Sequence, residues 1–147
     1  MAIQARRLLK LAAFLEKLPR AKFDFSIIVD QSGLPMLEAL KAGKHPCGTV
    51  ACAMGWMPAV FPKYLKWDDP KEPFGVRWRK NSSDNTSDVA REFFGLSYEQ
   101  VYWLFFPNSS IWAEKDNGLT DDATPKQVAR HIRRFVTKVK AGAELPA

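Results

Sequence analysis

Apolar residues recur at steps of three and four near both ends of this chain, and that spacing constrains the fold most. Near the N-terminus Leu8, Leu11, Ala12, Leu15 and Leu18 keep it, while Arg6, Lys10 and Lys17 lie off the stripe. Near the C-terminus Val128, Ile132, Phe135, Val136 and Val139 keep it as well. A period close to 3.6 residues describes a helix with one buried face. The local punctuation agrees. Pro19 stops a first helix predicted over Ile3–Leu18, because proline cannot continue one. Thr124 as N-cap, Pro125 at the first helical position and Gln127 completing a capping box open the last helix, and Gly142 ends it.

Between these helices the pattern is shorter-ranged. A helix is predicted over Pro35–Ala42, and a central buried helix over Thr49–Met57. Pro58 and Pro62 then bracket a turn that carries Val60, Phe61, Tyr64 and Leu65 onto the core. The run from Trp67 to Ser83 reads as irregular, with a small strand over Val76–Arg79. Phe23, Phe25 and Ile27 alternate with polar residues, which fits a short strand or an aromatic-anchored turn. A helix over Asp88–Phe94 is capped by Gly95. Ser97 and Gln100 form a second capping box, for a helix that closes near Phe106 before Pro107. The segment Asn108–Ala123 reads as a polar loop, apart from Ile111, Trp112 and Leu119. At 147 residues with 46% hydrophobic side chains the chain suits one domain, spanning residues 1–147. The expected fold is all-α or mainly α: a compact bundle of about five or six helices with room for a very short β-hairpin.

Charge divides the chain into three parts. Residues 1–22 hold six cationic side chains and one acidic, a net +5, and residues 126–147 repeat that balance. The middle holds ten cationic and fourteen acidic residues, so the overall +6 belongs to the two end helices. If these helices pack side by side, their outer faces form one basic surface suited to an acidic partner: a protein, a nucleotide or a nucleic acid. Arg6, Arg7, Lys10, Arg130, Arg133, Arg134 and Lys138 are the binding candidates. The alternative is that these charges only solvate two surface helices. Arg6, Arg7, Lys10, Glu16 and Lys17 interrupt the N-terminal apolar residues, unlike a signal peptide. The longest charge-free stretch, His45–Pro62, contains three prolines and falls short of a membrane span. The expectation is a cytoplasmic protein with no membrane contact.

The segment His45-Pro-Cys-Gly-Thr-Val-Ala-Cys-Ala-Met-Gly-Trp56 is the most unusual. Its small residues suit a helix that neighbours approach closely, with Ala51 and Gly55 on one face. Three chemical readings stand beside packing. A Cys47–Cys52 disulfide needs Cys47 off the helix, since five helical residues separate Cα atoms by roughly 8 Å. A zinc site would take His45, Cys47, Cys52 and His131, which are all the soft ligands present, at an unfamiliar spacing. A reactive Cys47 would take His45 or His131 as base, although no third orienting group is recognisable. Neither a cofactor motif nor a complete catalytic set stands out.

Cys47-Gly-Thr-Val-Ala-Cys-Ala-Met-Gly-Trp56 resembles the CGTxACxxGW hallmark of small bacterial and phage proteins without an assigned activity. Glu92-Phe-Phe-Gly-Leu-Ser97 with Trp103-Leu-Phe, and Thr124-Pro followed by Ile132-Arg-Arg-Phe, are similar to further parts of that group. The resemblance implies a phage-related protein acting on or regulating a host system. Ala90–Leu104 has the spacing of a helix-turn-helix, but its second helix offers one Gln and no cation to DNA, so it reads as a packed αα-hairpin. Trp67, Trp78 and Trp112 read as anchors of loops, or as stacking platforms beside Arg77 and Arg79. The expected function is non-enzymatic binding or regulation through the basic terminal helices. The alternatives are a thiol- or zinc-dependent activity centred on Cys47, and a structural subunit of a homo-oligomer, such as a homodimer, joined by exposed aromatics.

Overall fold

Both terminal stripes fold as helices, and they pack against each other. In a computed structural model, which describes residues 2–23, 29–30, 50–68, 75–80, 85–107, 117–120 and 122–145, α1 spans Ala5–Lys17 and the last helix, α5, spans Pro125–Lys140. Their mutual contact is the most extensive between any two described elements. Leu8, Leu11, Ala12 and Leu15 of α1 are fully buried, as are Val128, Ala129, Ile132 and Phe135 of α5. Leu18 is extended (ψ 128°) because it precedes Pro19, and α1 stops there. Three further helices are α2 (Met57–Val60), α3 (Thr86–Phe94) and α4 (Tyr98–Phe105). The fold is therefore mainly α, with five α-helices among the described residues. The helix predicted over Pro35–Ala42 lies outside those residues.

The central helix predicted over Thr49–Met57 is corrected. Val50–Ala51 is a strand, β2, paired antiparallel with β1 (Val29–Asp30), so Ala51 and Gly55 do not share a helical face. A turn over residues 53–56 follows, and helix begins only at Met57, with Pro58 in the first turn where its missing N–H removes no bond. Pairing suits the β-branched Val50, and Gly55 disfavours helix by about 1 kcal/mol relative to alanine. The burial expected of this segment is present: Cys52, Ala53, Met54, Trp56 and Met57 are all in the core. The Trp56 indole donates to the Lys22 carbonyl at 3.0 Å, and the Trp67 indole donates to the Gly55 carbonyl at 2.9 Å. The Gly-Trp end of the motif thus joins two distant parts of the chain.

The small strand predicted over Val76–Arg79 is present as β4 (Val76–Trp78). Its partner β3 (Leu65–Trp67) pairs Leu65 with Trp78 and Trp67 with Val76, in a register set by inward Leu65 and Val76. The hairpin is tied to α3: the Thr86 hydroxyl accepts from Val76 N–H at 3.0 Å. A side chain at Gly75 would strike that hydroxyl.

The start of α1 is fastened to the end of α3. Gly95 adopts φ +69°, which glycine takes without a Cβ penalty, and Leu96 N–H closes the helix onto the Arg91 carbonyl at 2.8 Å. A Cβ on Gly95 would also meet the Ala2 carbonyl, so the N-terminal residues lie directly on this cap. Gln4 N–H donates to the Phe94 carbonyl at 2.8 Å, and Arg7 Nη1 donates to the Phe93 carbonyl at 2.7 Å. Two carbonyls left open at the end of α3 are thereby satisfied.

Candidate functional site

A cleft of about 350 Å³ opens beside the first half of α5. One wall is the segment Asn117–Thr120 with Ala123, and the other is Gln127, Arg130, His131 and Arg134. Its construction begins with two caps. The Thr124 hydroxyl accepts from Gln127 N–H at 3.1 Å, and Gln127 Oε1 accepts from Thr124 N–H at 2.8 Å. This box fixes the first turn of α5 and leaves the Gln127 amide NH₂ as a donor. The opposite wall hangs on Asn117. Its Nδ2 donates to the carbonyls of Trp103 and Phe106, at 2.8 and 2.7 Å, and so caps the end of α4. Its Oδ1 accepts from Leu119 N–H at 2.9 Å, turning the chain at Gly118.

The Trp103 carbonyl is the shared node. Besides Asn117, it lies 3.1 Å from His131 Nε2. A carbonyl only accepts, so Nε2 carries the proton and Nδ1 is left as an acceptor. The imidazole also packs on the Trp103 ring, with centroids 4.2 Å apart. Burial pushes the His131 pKa below its ordinary value; the Trp103 carbonyl opposes this and nearby Arg134 reinforces it. The ring is therefore neutral at physiological pH.

Cations complete the cleft. Arg130 and Arg134 stand one helical turn apart on the same flank of α5, and both are exposed. None of the described lining residues is acidic, and the described ion pairs involve neither arginine. Lys138 continues that flank and is exposed.

The remaining binding candidates divide. Arg6 and Lys10 are exposed on α1, and Lys10 Nζ lies 5.4 Å from the Phe61 ring centroid. Arg133 faces α1 and makes a two-pronged ion pair with Glu16, at 2.6 and 3.1 Å. That pair holds the Glu16 carboxyl below its usual pKa and raises the Arg133 guanidinium. Arg7 is half-buried in its bond to the Phe93 carbonyl, with its guanidinium carbon 4.2 Å from the Phe93 ring centroid. Both arginines therefore have internal partners.

His45 and Cys47, needed for the thiol and zinc readings and for the disulfide, lie outside the described residues. Of the other two proposed ligands, Cys52 is buried and His131 has Nε2 committed to Trp103. Among the described residues no three His, Cys, Asp or Glu side chains come together. Trp67 is buried and Trp78 packs edge-on against Phe93, so both anchor the hairpin; Trp112 lies outside the described residues. Arg77 pairs with Asp68 at 3.9 Å, and Arg79 donates to the Pro62 carbonyl. Tyr64 and Tyr98 are the exposed large aromatics among the described residues. No described helix is long and apolar enough to cross a membrane.

Of the six cleft residues outside the site candidates, Asn117 and Gln127 are the two whose side-chain amides build the walls. In the sequence Gln127 shows only as a cap and Asn117 only as part of a polar loop, because the carbonyls Asn117 reaches at the end of α4 are more than ten residues away. No protein-family model, no curated protein and no solved structure matches the chain.

Proposed function

We propose that this protein is a non-enzymatic binding protein that engages an acidic partner through the terminal helices. The observation that carries this reading is the exposed arginine pair, Arg130 and Arg134, lining a cleft whose described walls hold no carboxylate. Packing of α1 on α5 adds Arg6, Lys10 and Lys17 on exposed positions of the neighbouring helix. Arg7 and Arg133 are left out of the binding set because each has an internal partner. The resemblance to bacterial and phage proteins agrees with a regulatory role toward a host component.

The test is binding of two labelled probes, an oligoglutamate peptide and a DNA oligonucleotide, at low and moderate salt. Replacing Arg130 and Arg134 by Glu should weaken capture by about tenfold or more, and salt should weaken wild-type capture through screening. Undiminished capture by the double variant removes α5 from the reading. No capture of either probe by wild type removes the reading altogether.

A further inference from the structure

The cleft beside α5 is more selective than a basic surface needs to be. A carboxylate is satisfied by one forked guanidinium, whereas a phosphomonoester presents three outer oxygens and close to two charges. Arg130 and Arg134 offer two such forks one turn apart on one wall. The Gln127 amide retains donors after its oxygen is used in the cap. His131 contributes the opposite polarity. With Nε2–H given to Trp103, its Nδ1 is an acceptor, suited to a ligand hydroxyl or to the proton of a singly protonated phosphate. The volume, about 350 Å³, greatly exceeds a phosphate group and falls at the lower end of small-molecule sites, roughly 300–1,000 Å³.

We infer that this cleft binds a small phosphomonoester, its phosphate held by Arg130 and Arg134 and its polar body lying against Gln127, His131 and the Asn117–Thr120 wall. The inference rests on the acidic-partner reading above and names the ligand class for one part of that surface. Both walls are fixed before any ligand arrives, by the Thr124–Gln127 box and by the Asn117 clamp on α4. The ordering cost of binding then falls mainly on the two exposed arginine side chains.

The experiment is an amide NMR titration of the full chain with ribose 5-phosphate, inorganic phosphate and ribose, repeated on Arg134→Gln and Arg133→Gln. Ribose 5-phosphate should shift the amides of Asn117–Thr120 and the first half of α5, and should bind more tightly than inorganic phosphate. Ribose alone should not bind. Arg134→Gln should weaken ribose 5-phosphate by about tenfold, the loss of one charge-assisted fork, and Arg133→Gln by less than about twofold. Equal weakening by both variants means diffuse attraction and overturns the cleft. Absence of shifts at millimolar phosphate also overturns it. If the oligonucleotide or acidic peptide still binds in that case, the broader reading survives; if neither binds, both fail.

Discussion

Replacing Arg7 by Ala distinguishes a charge offered to partners from one used within the fold. Arg7 Nη1 donates to the Phe93 carbonyl at 2.7 Å, and its guanidinium carbon lies 4.2 Å from the Phe93 ring centroid. A half-buried hydrogen bond with a charged donor contributes about 1.5–3 kcal/mol. The ring contact contributes about 0.5–2 kcal/mol, and the two overlap because one group makes both. Arg7→Ala should therefore destabilise by about 2–3 kcal/mol, or roughly 5–10 °C in Tm for a chain of this size. Urea unfolding followed by tryptophan fluorescence measures it. Arg6→Ala, on an exposed position of the same helix, should stay within about 0.5 kcal/mol. Arg7→Lys should fall between, since an ammonium reaches the carbonyl less well and stacks poorly. A cycle with Phe93→Leu isolates the ring contact, because the backbone carbonyl remains. Capture of the acidic probes should be unchanged in Arg7→Ala. A variant of wild-type stability that loses probe binding would refute the assignment and return Arg7 to the binding surface.

Two further outcomes follow from the same geometry. Because burial lowers the His131 pKa in the folded chain, the unfolded chain binds more protons as pH falls through about 6.5, and stability should decline from there toward the lowered value. His131→Asn should flatten that part of the stability–pH curve measured by urea unfolding; an unaltered slope assigns it to other groups. Gly95→Ala should cost about 2–3 kcal/mol, from left-handed backbone plus displacement of the Ala2 carbonyl, whereas Gly118→Ala should cost only about 1 kcal/mol. Gly118 has a similar φ of +73°, but a Cβ there would meet nothing within 4 Å, so equal losses in thermal unfolding would remove the close approach at Gly95.

Features that depend on a few neighbouring residues were legible in the sequence. The boxes at Ser97–Gln100 and Thr124–Gln127, the Gly95 cap and both terminal stripes are local, and each has the expected partner. α3 starts two residues before the expected Asp88 because its cap is Asn85, whose side chain accepts from Asp88 N–H at 2.9 Å upstream of the apolar run. Strands of two or three residues were not legible in full. Leu65–Trp67 becomes a strand only through its partner Val76–Trp78, and Val50–Ala51 only through Val29–Asp30. Backbone pairing of that kind overrides a weak local helix preference. The cleft was hidden for the same reason: its far wall depends on the reach of Asn117 to carbonyls of α4.

The division of the basic ends was partly legible, and it sharpens what their charge means. On a helical wheel Arg7 lies about 40° from Leu11 and Arg6 about 140° away, so Arg7 borders the buried stripe and Arg6 does not. The structure gives Arg7 an internal acceptor accordingly. Arg133 is different: it borders α1, where Glu16, the acidic residue within α1, takes its charge. Arg130 and Arg134 lie about 60° and 100° around the α5 axis from Arg133 and meet the cleft instead. A segment's net charge therefore overstates what it offers to a partner. Rotation about the helix axis decides which cations serve the fold, and by that criterion Arg130, Arg134 and Lys138 of α5 are left exposed, which is what the proposed acidic-partner reading requires of them.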